Sequence, residues 1–326
     1  MVTKVKKVAH LMYVPFTGLG MYGGFRGNRW LRNRIKIFKQ FVVPSLLAQS
    51  NQNFIVWVSW REEERGNKQV KELEDFLKAM FNRTALEQRV VFTYSGVCFW
   101  DDKYFGKVAY DRMSMAIHGA TGALHNVIGE ADEILMTIQP SDDCYHHKAV
   151  EKIQEVLVVA PELNAVGFHK GYITNYGTRE TRLYNPTTNP PFYTIRFPSK
   201  EVFMDPLKHM AWTAIKSNTE KYPFGTPIPS HEYVGLALAY GVMDDRGFMV
   251  GTHGENISTV FNHPFAGEAV KEDVWPQFGL GNASTLVLPV SWRKKFMRSL
   301  PPWWQRKLRY LVGERIVNRI YNFLRS

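Results

Sequence analysis

Residues 134–147 read ILMTIQPSDDCYHH. The apolar run that opens the stretch has the length and β-branched content of a buried strand. It stops at Gln139-Pro140, and Asp142, Asp143, His146 and His147 follow within eight residues. Two like charges side by side where a buried strand surfaces need a reason. Either Ser141 or an aspartate caps the helix predicted from about His147, where short polar and acidic side chains suit the positive helix end, or the pair holds something strongly positive. One cap suffices for a helix, so the second carboxylate would add only repulsion unless a cation neutralises it. Paired carboxylates at a strand end suit a hard divalent cation that keeps waters and also takes phosphate oxygens.

The surroundings alternate between strand and helix patterns. KKVAHLMYVPF (6–16) reads as a strand that ends at Pro15, and a Gly-rich loop with Arg26 and Arg29 follows. RWLRNRIKIFKQFVVPSLLAQS (29–50) has Leu31, Ile35, Phe38 and Val42 near helical spacing, with basic residues between them. FIVWVSW (54–60) and RVVFTYSGV (89–97) predict strands; NKQVKELEDFLKAMFNR (67–83), VAYDRMSMAIHGATGALHNVI (108–128) and HKAVEKIQEVLVVA (147–160) predict helices. Such alternation implies right-handed crossovers and a mainly parallel sheet covered on both faces. Ligands of these sheets gather beyond the carboxyl ends of the strands, which is where the aspartate pair falls. After Pro161 the pattern loosens. NAVGFHKGYI (164–173) looks like a strand pair, and the Pro-, Thr- and Asn-rich segment 175–202 like an excursion facing a substrate. SHEYVGLALAYGV (230–242) predicts a short helix, and RGFMVGTHGEN (246–256) a strand ending at His253-Gly254.

The 326 residues can bury a large core as one or two α/β domains, and 45% hydrophobic with 22% charged residues is an ordinary globular composition. Two cysteines, Cys98 and Cys144, speak against a disulfide framework and fit a reducing, cytoplasmic compartment. Lys4, Lys6 and Lys7 before an apolar stretch resemble the start of a signal peptide. His10 and Pro15 interrupt that stretch and no small-residue cleavage site follows, so it reads as a first strand. No run of about 18 apolar residues predicts a transmembrane helix. Of the net charge of +11, the tail 291–326 carries +9, with ten Lys or Arg and one Glu. The body 1–290 is therefore nearly neutral, and a nucleic-acid-binding face across it is not expected. In the tail, Trp303 and Trp304 beside basic residues suit an anionic membrane surface, and a helix packed on the body with a basic outer face suits the same pattern.

Several residues carry two readings. His253 reads as a histidine that closes its strand against a backbone carbonyl. Ser230 is placed to N-cap a helix with His231 and Glu232 in its first turn. Glu232 then either complements the helix dipole or, kept ionised by it, serves as a base for a hydroxyl proton. Arg26, Arg29 and Arg112 are either solvated surface charges or, beside the strand ends, guanidinium contacts to a diphosphate. Asp101 and Asp102 form either an ordinary turn or a contact to ribose or base. His146 and His147 follow the aspartates but point apart at a helix start, and read as structural.

Taken in order, these parts resemble the GT-A glycosyltransferases, and more narrowly a bacterial rhamnosyltransferase group. Pro44, Ser45, Leu46, Gln49, Phe54 and Trp57 match that group's PSL…Q…F…W stretch, PSDD its D-x-D-D turn, and HGENIS at 253–258 its H-G-x-N-x-S. Pro140 stands where the group has its first Asp, which removes a ribose contact from that position. The resemblance, over residues 6–265, implies a Rossmann-like GT-A domain with a mixed, mainly parallel sheet flanked by helices, followed by a helical basic tail. It implies transfer of a sugar from a nucleotide-sugar donor, with inversion, to a glycan or lipid-linked acceptor. Asp142, Asp143 and His253 would hold Mn²⁺ or Mg²⁺ against the diphosphate, with Asp142, Arg26, Arg29 and Arg112 at the donor. Glu232, or else His231, would activate the acceptor. A nucleotidyltransferase or nuclease, and a non-catalytic binding module acting through the tail on membrane or nucleic acid, are the competing readings.

Overall fold

The seven-residue strand β1 (Val8–Val14) is buried at every position after its first and lies inside the sheet, between two parallel neighbours. In this computed structural model, the described residues are 6–17, 27–82, 88–96, 109–217, 224–226, 228, 231–253, 261 and 263–288. β2 (Ile55–Ser59), β3 (Val90–Thr93) and β4 (Glu133–Ile138) join β1 in the order β4-β1-β2-β3, all parallel. Parallel strands need covering on both faces, and the chain supplies it. Met12 and Val14 of β1 pack with Val56 and Val58 against Leu31, Phe38 and Leu46 on one side and Val70 and Leu73 on the helix Lys68–Phe81. Leu11 and Tyr13 pack with Trp57 against Met113, Ile117 and Leu124 on the other. The expected α/β architecture, a mixed sheet flanked by helices, is what the chain adopts.

Beyond β4 the sheet continues through strands of mixed direction. β8 (Tyr193–Phe197) runs antiparallel to β4, and β6 (Ala165–Asn175) antiparallel to β8. β7 (Thr181–Tyr184) and β10 (Ala266–Ala269) extend that edge, while β9 (Tyr240–Thr252) pairs parallel with β6 along almost its whole length. A two-residue strand, β5 (Cys144–Tyr145), pairs with Met249 and Phe248 of β9, directly after the aspartates.

Four expectations are corrected. Residues 164–173 belong to one long strand, not a pair of strands. The segment 175–202 is not an excursion: it holds β7 and β8, whose Tyr193, Thr194 and Ile195 are buried although Pro190 and Pro191 precede them. The helix expected over 108–128 is two, Ala109–His118 and Thr121–Ile128, with a turn at Gly119-Ala120 between them; a Cβ at Gly119 would lie 2.7 Å from that of Ser95. Residues 231–237 form a 3₁₀ turn and a single helical turn, and the chain is already in β9 by Tyr240.

The helix Gly27–Ile37 continues through a π turn, Phe38–Val42, into Val43–Leu47. Pro44 causes the π turn: it has no N–H for the carbonyl of Gln40 and its ring needs that carbonyl moved aside. Among the described residues no helix is long and apolar enough to cross a membrane. The tail 291–326 lies outside them.

At the opposite end of β4, Arg196 of β8 donates from Nε and Nη2 to the two oxygens of Glu133, each at 3.0 Å, and from Nη1 to the Leu157 carbonyl. This fork joins sheet and helix across a 5% exposed carboxylate. Arg196→Met should cost about 2–3 kcal/mol in denaturant unfolding, below the range for a fully buried pair because Lys6 also reaches Glu133.

Candidate functional site

The turn Ser141–Asp143 leaves the carboxyl end of β4 and is buried: Asp142 is 6% and Asp143 8% exposed. Neither aspartate, nor Ser141, caps the following helix. That helix is Ala149–Val159, its N-cap position is Lys148, and no side chain caps it. What Asp142 holds is Arg34. The Arg34 guanidinium, 1% exposed on the helix Gly27–Ile37, pairs through Nη1 with Asp142 Oδ2. His253, just past the end of β9, brings Nε2 to 3.1 Å from the same oxygen. Asp143 turns the other way and accepts from the Gly251 amide at 2.9 Å.

The repulsion foreseen between the two carboxylates is relieved in two ways. Burial alone would raise the pKa of Asp142, but the charge of Arg34 and the bond from His253 outweigh it and bring it down to about 2. Burial, and then the neighbouring Asp142 charge, push Asp143 well above the usual carboxylate range. The two neighbours are thus pushed in opposite directions, Asp142 toward keeping its charge and Asp143 toward keeping its proton.

Other matched residues hold this turn in place. Ser45 donates to the Tyr145 carbonyl at 2.8 Å. Gln49 donates to the carbonyls of Ser45 and His146 and accepts from the Val150 amide at 3.1 Å. The PSL…Q stretch thus fastens the segment that follows the aspartates to the helix that carries Arg34. Tyr176 donates to the Asp142 carbonyl at 2.9 Å and stacks on Phe41, with centroids 3.8 Å apart. Gly251 has to be glycine here, since a Cβ would lie 2.1 Å from the Tyr176 ring and 2.5 Å from the Asp142 carbonyl. His147 Nδ1 is bonded to the Gln277 carbonyl at 2.8 Å, in keeping with a structural role.

His231 and Glu232 stand apart from this cluster. Among the described residues no hydrogen bond or ion pair joins either to an aspartate. His231 is bonded through Nδ1 to the Asn189 carbonyl at 2.5 Å, and Asn189 donates back to the His231 carbonyl. Burial lowers the pKa of this imidazole. Because β8 runs antiparallel to β4, the loop carrying Asn189 enters β8 beside the carboxyl end of β4, so His231 is held at that end of the sheet, and Glu232 next to it is exposed. Arg26, Ser230, Asp101 and Asp102 lie outside the described residues, as do the side chains of Arg29 and Arg112 and the motif residues 254–258.

Two residues escaped the sequence reading. Arg34 falls three residues after Leu31 and four before Phe38, within the apolar stripe, and that spacing was the available signal. Glu64, beyond the end of β2, is 1% exposed; its Oε2 accepts from Thr17 at 2.7 Å and its Oε1 is buried without a hydrogen-bond partner among the described residues. Its signal is weaker, one carboxylate among three in Arg61–Arg65.

As to a metal, Asp142, Asp143 and His253 have donor chemistry suited to Mn²⁺ or Mg²⁺. Their arrangement does not fit one: Oδ2 of Asp142 is shared by Arg34 and His253, and Oδ1 of Asp143 faces an amide. Among the described residues no three His, Cys, Asp or Glu side chains are placed to hold an ion together.

No family model matches the chain, and no curated protein does. Two crystal structures of S. aureus TarS are similar to it. One, of residues 1–349, has a TM-score of 0.37 and 9% identity over 74% of this chain and 60% of that one. The other has a TM-score of 0.34 and 10% identity over 76% of this chain and 37% of that one. The chain thus spans less than two thirds of either, and at these scores the likeness carries no functional weight.

Burial pushes the Glu64 carboxyl from its ordinary 4.5 up to about 7. A raised carboxyl favours folding while protonated, so its contribution is full below about pH 4.5 and is lost as pH rises through 7. Glu64→Gln stays neutral throughout. In denaturant unfolding, its stability relative to wild type should rise by about 2 kcal/mol between pH 5 and pH 8.

Proposed function

We propose that this chain is a glycosyltransferase that takes its sugar from a nucleotide-sugar donor. The observation that supports this best is the buried Ser141-Asp142-Asp143 turn at the carboxyl end of β4, closed over by His253 from the end of β9. Open α/β sheets bind ligands in this position. The matched stretches converge on the turn, since Ser45 and Gln49 fasten its far side and His253 of the HGENIS stretch meets its first aspartate.

In this reading the diphosphate of the donor lies over the turn, with Arg26, Arg29 and Arg112 as further contacts from the flanking segments. Glu232, exposed and next to His231 at the end of the sheet where β4 ends, takes the proton of the acceptor hydroxyl as the anomeric carbon is attacked from the face opposite the leaving nucleotide. His231 is the weaker choice for that base, because its Nδ1 is bonded to a carbonyl and burial disfavours its charged form. Rhamnose is the sugar that the resemblance of the three stretches favours, and a glycan or lipid-linked molecule the acceptor. The tail 291–326, with its Trp pair and net charge of +9, would bring the enzyme to an anionic membrane surface carrying such an acceptor.

A panel of nucleotide sugars tests the reading, because a ligand that binds only the folded chain raises its melting temperature. At least one nucleotide sugar should stabilise the chain and be consumed when acceptor glycans are supplied. Glu232→Gln should leave that stabilisation unchanged and lower turnover by roughly 10²–10⁴-fold. Stabilisation by no nucleotide sugar, or full turnover in the variant, would remove the donor or the base respectively.

A further inference from the structure

We propose that Arg34 is the resident cation of the aspartate turn, so that donor handling there needs no divalent ion. The proposal rests on the glycosyltransferase reading only for its ligand; the charge arrangement stands without it. Arg34 is nearly fully buried, and its guanidinium is paired with Asp142 Oδ2, the oxygen that His253 also approaches. It is not a surface charge that swung inward. It projects from the buried stripe of a helix, its guanidinium 5.5 Å from the Trp30 ring, and the π turn and PSL…Q contacts fix that helix against the turn.

A hard divalent ion binds carboxylate oxygens at about 2.0–2.6 Å. At Asp142 that is the space the guanidinium fills, and two cations there would repel each other in a poorly solvated setting. Asp143 cannot take over alone, since one of its oxygens is committed to the Gly251 amide. A guanidinium keeps its positive charge at every working pH, and held beside the turn that charge offsets the charge of a diphosphate. The aspartates are then positioning residues: they hold Arg34 where a metal would otherwise stand.

The test uses the full chain after chelation and dialysis. Mn²⁺ is titrated in, and bound ion is read from the loss of the free-ion electron paramagnetic resonance signal. Wild type and Asp143→Asn should bind Mn²⁺ equally weakly. Arg34→Met, which keeps an unbranched apolar stem and removes the guanidinium, should gain a site for one Mn²⁺ at least about tenfold tighter than any in wild type. In parallel, a nucleotide sugar that stabilises the chain should do so equally in chelator and in Mn²⁺. One Mn²⁺ bound tightly by wild type and lost in Asp143→Asn overturns the proposal, as does stabilisation by the nucleotide sugar only with Mn²⁺ present. A folded Arg34→Met without a new site overturns it too. Should that variant not fold, the wild-type titration still decides. If no nucleotide sugar binds under either condition, the donor reading fails, and the Mn²⁺ titration continues to judge Arg34 separately.

Discussion

The structure depends on one buried carboxylate. Asp142 sits below the surface with its charge intact, and an ionised carboxylate in that position is tolerated only when paired. Arg34 and His253 supply the pairing from two directions, one from the helix after β1 and the other from the end of β9. Three stretches far apart in the chain, 27–37, 141–143 and 251–253, are thereby tied at one point. The surrounding contacts serve that knot: Tyr176 on the Asp142 carbonyl, Gly251 on Asp143, and Ser45 with Gln49 on the residues that follow.

The pair at 142–143 is also an example of two identical side chains made unlike by their settings. Both are buried to a similar degree. Asp142 has a guanidinium and an imidazole and stays charged, while Asp143 has an amide and a charged neighbour and holds its proton more tightly. Burial sets the problem for both, and the partner decides how each is solved.

Much of this was legible beforehand, and the rest was hidden for physical reasons. The strands around residues 8–14, 55–59, 90–93 and 133–138 are short, apolar and bounded by breakers, so local pattern found them. That the aspartates lie at the end of β4 followed directly. β7 and β8 were missed because Thr, Asn and Pro dominate their surroundings. They are strands through pairing with β6 and β4, which no local window contains. The helix expected at 230–242 gave way to β9 for the same reason, as its last residues pair with β6. Arg34 was hidden because an arginine among basic residues in RWLRNRIKIF looks solvated. Only its place in the apolar stripe marks it, and its partner lies more than a hundred residues away.

The central claim is that Arg34 and Asp142 stabilise the fold as a pair and not as separate groups. A double-mutant cycle with Arg34→Met, Asp142→Asn and the combined variant, followed by denaturant unfolding, measures this directly. Each single change leaves the other group buried without its main partner, so the double variant should be less destabilised than the sum of the singles by about 2–3 kcal/mol. Additivity within about 0.5 kcal/mol would contradict the account, because it would mean that the two charges do not depend on each other.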